Sequence, residues 1–286
     1  MAAGICCPDI FAFLQPYPLL CLMILFFMSF LSIRLEAVSE ALRQASLSIV
    51  SIVVLKMFIL PVVIYFLFLQ ALPDYAVAAL LLTGVSTGVV APFMSNLVGG
   101  NSARVLVVTV ITSILVPFSL PAVVGFVLAK SVHMSFWNML QVLALAIFVP
   151  IAAVQVLRRL APHWLDAANR RSYPVNLVMF ALINLGVFSK YADIFYTDPT
   201  LIVEAALVGI VLSGVYCATG IVFFRGKPIE ERVGGAVMLA HMNNILLVVF
   251  SSHFFGPRET ITAAMYLLPF FGLVLPLRYY RNKKRV

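Results

Sequence analysis

The sequence predicts an all-α polytopic membrane protein of about nine transmembrane helices. Three observations carry that expectation. Hydrophobic residues make up 63% of the 286 residues and charged residues only 10%, against roughly 45–50% and ~25% in water-soluble domains. The apolar residues gather in runs of the ~20 residues that a ~30 Å hydrocarbon core requires. The runs lack the ten-residue alternation of a membrane barrel, and peptide groups surrounded by lipid must pair within their own segment, so helix is the form they take.

Residues 1–16 are apolar but short and are broken by Pro8 and Pro16, which reads as an external interfacial segment. Nine spans follow, at 17–33, 46–69, 75–98, 103–128, 135–157, 173–189, 200–224, 232–254 and 260–278. The loops are short, the longest near 158–172, and no low-complexity linker divides the chain. Residues 17–280 therefore read as one membrane domain, followed by a basic tail at 281–286.

Positive charge orients the spans. Alternate loops place Arg34, Arg43, Arg104, Arg158, Arg159, Arg170, Arg171, Arg225, Lys227, Arg232, Arg278, Arg281, Lys283, Lys284 and Arg285 on one side. The other side holds only Lys130, Lys190 and Arg258, and Lys56 lies inside a span. This predicts an external N-terminus and a cytoplasmic C-terminus. The net charge of +8 is spread over short loops and does not point to nucleic acid. Cys6, Cys7, Cys21 and Cys217 have no metal-ligand spacing and read as ordinary apolar residues. The first basic residue is Arg34, so the n-region of a signal peptide is missing.

Two spans are not built like lipid anchors. The third contains Gly84-Val85-Ser86-Thr87-Gly88 and then Pro92, Ser95 and Asn96. Proline removes a helical hydrogen bond and glycine weakens the helix, so a break is expected there. The eighth contains Gly234-Gly235 and then His241, Asn243 and Asn244. Close helix packing is the alternative for the glycines, since Gly84 and Gly88 form a small-xxx-small pattern. Packing accounts less well for a histidine and two asparagines in hydrocarbon. If the chain is two inverted five-helix units, 135–280 forms the second and 17–128 the first, lacking its opening helix. The third and eighth spans then occupy matching slots, which is the sequence pointer to a transporter's binding site.

Ala91-Pro92-Phe93-Met94-Ser95-Asn96-Leu97-Val98-Gly99-Gly100-Asn101, followed by Thr109, Thr112, Ser113 and Pro117, resembles the bile acid:sodium symporter family. So do Met242-Asn243-Asn244-Ile245-Leu246, Phe254-Phe255-Gly256-Pro257, and the stretch from Tyr266-Leu267-Leu268-Pro269 to Pro276-Leu277-Arg278. The resemblance runs from about residue 17 to 280; auxin-efflux-type carriers share a related architecture. It implies core and panel domains from two inverted repeats, two broken helices crossing in the core, and movement of organic anions with sodium by alternating access.

The chain departs from that pattern where the family binds sodium. The position of the family's Glu falls at Met238 or Leu239, depending on register. Its Ser-Asn pair aligns without gaps to Ala91-Pro92, and a one-turn gap would bring Ser95-Asn96 there instead. The family's Gln five residues before a proline is Lys56, five before Pro61, while Thr109 still matches a ligand position. Lys56 lies about 10–12 residues from either end of its span, roughly 15–18 Å from water at ~1.5 Å per residue. Facing lipid it would cost about 2.5–3.5 kcal/mol, so it is expected to point inward. There it acts either as a structural lysine on helix C-terminal carbonyls or as a built-in surrogate for sodium that exchanges a proton.

The expected roles follow. Asn243, Asn244, Ser86, Thr87, Ser95 and Asn96 are the candidate substrate contacts. Lys56, His241 and Thr109 are the candidate coupling residues, with His241 either a proton relay or a structural donor. Glu204, about one turn inside its span, reads as interfacial. No cofactor is expected, although sodium remains possible. The expected partners are a small organic anion and the bilayer, and the sequence does not fix the oligomeric state.

Gly84-Val85-Ser86-Thr87-Gly88 matches G-x-S-x-G, but that motif requires a strand–turn–helix setting with acid and histidine partners. No H-E-x-x-H occurs, and no charge ring or repeated filter sequence suggests a channel. An intramembrane enzyme or a channel is thus the weaker reading.

Overall fold

The computed structural model describes residues 1–31, 46–128 and 135–284. Arg34, Arg43, Lys130 and Arg285, used in the charge partition, lie outside the described residues. Among the described residues the regular structure is helical, apart from one isolated β-bridge.

Six helices are long and apolar enough to cross a membrane. They are α4 (Leu47–Ala71), α7 (Ser102–Leu128), α8 (Phe136–Leu160), α10 (Ser172–Lys190), α12 (Pro199–Phe223) and α15 (Pro257–Lys283). Before them come α1 (Ala2–Cys6), α2 (Pro8–Phe11), a 3-10 turn at Ala12–Leu14 and α3 (Pro18–Phe30). The chain bends by 64° between Pro8–Leu14 and Pro18–Phe30; counted as one broken span, this pair brings the total to seven. The segment expected at the interface thus forms short helices, with Gly4 against Leu185 and Leu14 against Gly186 of α10.

The third and eighth hydrophobic stretches are each split, as their composition predicts. α5 (Ala76–Gly84) and α6 (Ala91–Val98) come from the first, α13 (Ile229–Ala240) and α14 (Asn244–Phe254) from the second. A short helix, α9 (Pro162–Arg170), joins α8 to α10, and α11 (Ala192–Thr197) joins α10 to α12.

Two sets of helices are evident in the packing. α8 and α10 each pack on α3, and α8 also packs on α7. The four half-helices are enclosed by α4, α7, α12 and α15. Small residues permit the closest approaches: a Cβ on Gly220 of α12 would fall 2.2 Å from the Gly235 carbonyl oxygen of α13. Without a hydrophobic force between helices in lipid, such contacts supply the packing energy. Gly99 ends α6 in the left-handed region at φ 74°, which favours glycine at a helix terminus.

α4 is not a uniform α-helix. Its middle, Leu55–Ile59, is a π-helical turn. Pro61 has no N–H for the carbonyl of Met57 one turn back, and its ring crowds that carbonyl. The wider turn relieves the clash and carries Lys56. Such π-bulges frequently mark functional positions.

Candidate functional site

The two interruptions meet in the interior. Between α5 and α6, and between α13 and α14, the chain leaves helical geometry and its peptide groups lose their helical partners. Each break supplies partners for the other. The Gly88 N–H donates to the His241 carbonyl at 2.8 Å, and the Asn243 N–H donates to the Ser86 carbonyl at 2.8 Å. Thr87 and Met242 thereby form an antiparallel bridge. Buried peptide groups must be paired, and this crossing pairs four of them. Gly88 is required sterically, because a Cβ there would lie 2.8 Å from the Met242 carbonyl oxygen.

The C-terminus of α13 points into the crossing. The last carbonyls of a helix have no intrahelical donor and carry the negative end of its dipole. Three separate elements provide donors. Thr87 Oγ1 donates to the Met238 carbonyl at 2.8 Å, Lys56 Nζ to the Leu239 carbonyl at 3.3 Å, and Tyr266 Oη to the Ala240 carbonyl at 2.8 Å. Lys56 is only 1% exposed. Among the described residues it is the one Lys, Arg, Asp or Glu that is fully buried.

Further hydroxyls brace the crossing. Thr112 Oγ1 accepts from the Thr87 N–H at 3.1 Å, and the Thr83 and Tyr216 hydroxyls lie 2.6 Å apart. Asn243 caps α14, its Oδ1 accepting from the Leu246 N–H at 3.3 Å. Other polar atoms here are buried without a hydrogen-bond partner: Ser86 Oγ and both amide atoms of Asn244. The His241 ring stands edge-on to Phe270, its centroid 4.8 Å away. Leaving a buried donor or acceptor unmade costs about 1–3 kcal/mol each. A cluster of such atoms at a helix break leaves hydrogen-bonding capacity there that the protein itself does not fill.

Six of the nine residues singled out in the sequence therefore come together: Lys56, Ser86, Thr87, His241, Asn243 and Asn244. Ser95 is buried farther along α6, near Gly100. Asn96 is exposed on α6 and does not join the crossing. Thr109 is buried, but its hydroxyl donates to the Val105 carbonyl of its own helix. Sequence reasoning passed over Thr83, Thr112, Tyr216 and Tyr266 as site residues. Mid-span tyrosines were the available signal, because a buried phenol requires a partner.

The positions where the resemblance expects a Glu hold Met238 and Leu239, whose backbone carbonyls are taken by Thr87 and Lys56. Ala91 and Pro92 begin α6 and bring no side-chain oxygen. Among the described residues, no group of three or more His, Cys, Asp or Glu side chains could hold a metal ion.

Comparison with known proteins agrees with this architecture. The profile of the SBF-like CPA transporter family matches residues 11–271, nearly the whole chain. The protein belongs to that family. It is an integral, multi-pass membrane protein, and the family it belongs to is one of transporters. Two curated relatives are both called sodium/bile acid cotransporter 7. The one from Rattus norvegicus is 27% identical over 184 residues, covering 62% of this chain and 52% of the relative. The one from Mus musculus is 27% identical over 185 residues, with the same coverage. The match thus spans about half the length of these relatives. Both accord with the bile acid:sodium symporter resemblance read from the sequence.

Proposed function

We propose that this family member is a secondary carrier of a small organic anion, and that the Lys56 ammonium stands where relatives would hold a sodium ion. The observation that carries the reading is the bond from Lys56 Nζ to the Leu239 carbonyl. A cation bound at helix C-terminal carbonyls is what a coupling ion would be, and here it is covalently attached. Side chains at the corresponding positions offer few oxygen ligands, which disfavours sodium further. A protonated Lys56 at the same crossing as the unpartnered Asn244 and Ser86 groups favours a negatively charged solute. The N-termini of α6 and α14 add partial positive charge at the same place.

In this reading there are nine crossings, two inverted repeats and a cytoplasmic C-terminus in a plasma (inner) membrane. α3, α8 and α10 act as the panel against which the remaining helices move during alternating access. The solute is bile-acid-like or a simpler carboxylate. Transport is proton-coupled or uniport, with sodium coupling weak or absent.

The test is uptake into proteoliposomes at clamped pH, after a thermal-shift screen of organic anions has identified a ligand. Saturable uptake with counterflow and no response to a sodium gradient is expected. A steep rise with inward sodium would remove the surrogate role of Lys56. It would favour the second reading, suggested by the relatives' name: a sodium-coupled symporter with non-standard ligands.

A further inference from the structure

Away from the crossing, a cavity of about 240 Å³ lies between the two helix sets. Gln15, Pro16, Pro18 and Leu19 form one wall at the bend before α3, and Gly186, Val187 and Lys190 form another at the end of α10. Val249, Ser252 and His253 of α14 complete it. α14 starts at the crossing with Asn244, so Ser252 stands about 12 Å farther along the helix at ~1.5 Å per residue.

Its chemistry is that of a site for a carboxylate with an apolar body. Lys190 supplies a positive charge, and Gln15 and His253 supply further polar groups. Leu19, Val187 and Val249 supply apolar surface. No carboxylate lines it. The volume is below the ~300–1,000 Å³ of drug-sized sites, so it suits a small carboxylate or the acidic end of a larger one. Lys190 also spans the two helix sets: its Nζ donates to the Ser252 carbonyl at 2.8 Å, tying α10 to α14.

We propose that this cavity is an access subsite for the transported anion, and that Lys190 is both its charge and its latch. An arriving carboxylate accepts from the Lys190 ammonium in place of the Ser252 carbonyl. That exchange removes the Lys190 tie between α14 and α10 and loosens the contact between the helix sets on the way to the crossing. The subsite rests on the carrier reading, because α14 is part of the crossing element whose access it would control.

The test uses the full-length protein in proteoliposomes, with labelled 2-oxoisovalerate, cholate and acetate as probes. Three forms are compared: wild type, Lys190→Gln and Lys190→Arg. Glutamine can still donate to the Ser252 carbonyl but carries no charge, so it separates charge from packing. Expected is an increase of about tenfold or more in KM for Lys190→Gln when the probe is offered on the Lys190 side. KM from the opposite side should change less than twofold, and Lys190→Arg should restore most of the loss. Counterflow with an unchanged KM in Lys190→Gln overturns the subsite and leaves the carrier standing. An equal loss from both sides, or no rescue by arginine, also overturns it. Absence of counterflow for all three probes in wild type removes the carrier reading and the subsite together.

Discussion

Lys56 and Leu239 are 183 positions apart in the chain, yet the lysine Nζ lies 3.3 Å from the leucine carbonyl oxygen. The helix that carries the lysine widens into a π-turn at that point, and the helix that presents the carbonyl ends one residue later. The pair joins a buried lysine amine to the C-terminal end of a helix dipole in the interior of the molecule.

Lys56→Met tests what the charge does. Methionine fills similar space, and removing a desolvated ammonium offsets the lost bond to Leu239. Folding stability in detergent should change by no more than about 2 kcal/mol in either direction. Transport should fall to background. Wild-type transport by a well-folded Lys56→Met protein would make the lysine purely structural.

Asn244→Leu should separate stability from function. Both amide atoms of Asn244 are buried without partners. Replacing them with apolar atoms should raise stability by about 1–3 kcal/mol, read as a higher unfolding midpoint. The same variant should lose transport and the thermal response to anions. A lower midpoint would mean that the amide is satisfied in the native protein.

Gly88→Ala should disrupt the crossing, because the new methyl group would lie 2.8 Å from the Met242 carbonyl oxygen. Overpacking of this kind costs about 1–3 kcal/mol. Unfolding at a distinctly lower temperature, with transport impaired, is the expected result.

Thr87→Val removes the donor to the Met238 carbonyl while keeping the side-chain shape. Loss of about 1–3 kcal/mol is expected, and Thr87→Ser should recover most of it. Equal thermal midpoints for the valine and serine variants would contradict the bond's role.

Asp198, outside the spans, gives a pH dependence of known sign. Hydrogen bonds from the Thr200 hydroxyl and the Leu201 N–H hold its carboxyl below the usual carboxylate range. A group whose folded value is depressed stabilises the fold above its unfolded value of about 3.9. That stability is lost as the pH falls through the lower, folded value. Asp198→Asn should therefore flatten the acid limb of a stability-versus-pH curve, lowering the plateau above the unfolded value slightly while leaving the most acid region little changed.

Much of this was legible in the residues themselves. The apolar runs specify lipid as the solvent, Pro92 and the glycines around Ser86 specify one helix break, and His241 with the asparagines marks the other. Lys56, too far from water to snorkel, was bound to face inward. These properties follow from local composition and from the length of a helix, so one sequence suffices to read them.

Pairings across the fold were not legible. Nothing local joins Gly88 to His241, Thr87 to Met238 or Tyr266 to Ala240. Nor does spacing show that Asn96 faces outward while Ser95 is buried. A lone donor in a membrane span must find an acceptor, but which one depends on how distant helices pack. Tertiary structure made that choice by bringing two broken helices close enough for each to complete the other's hydrogen bonds.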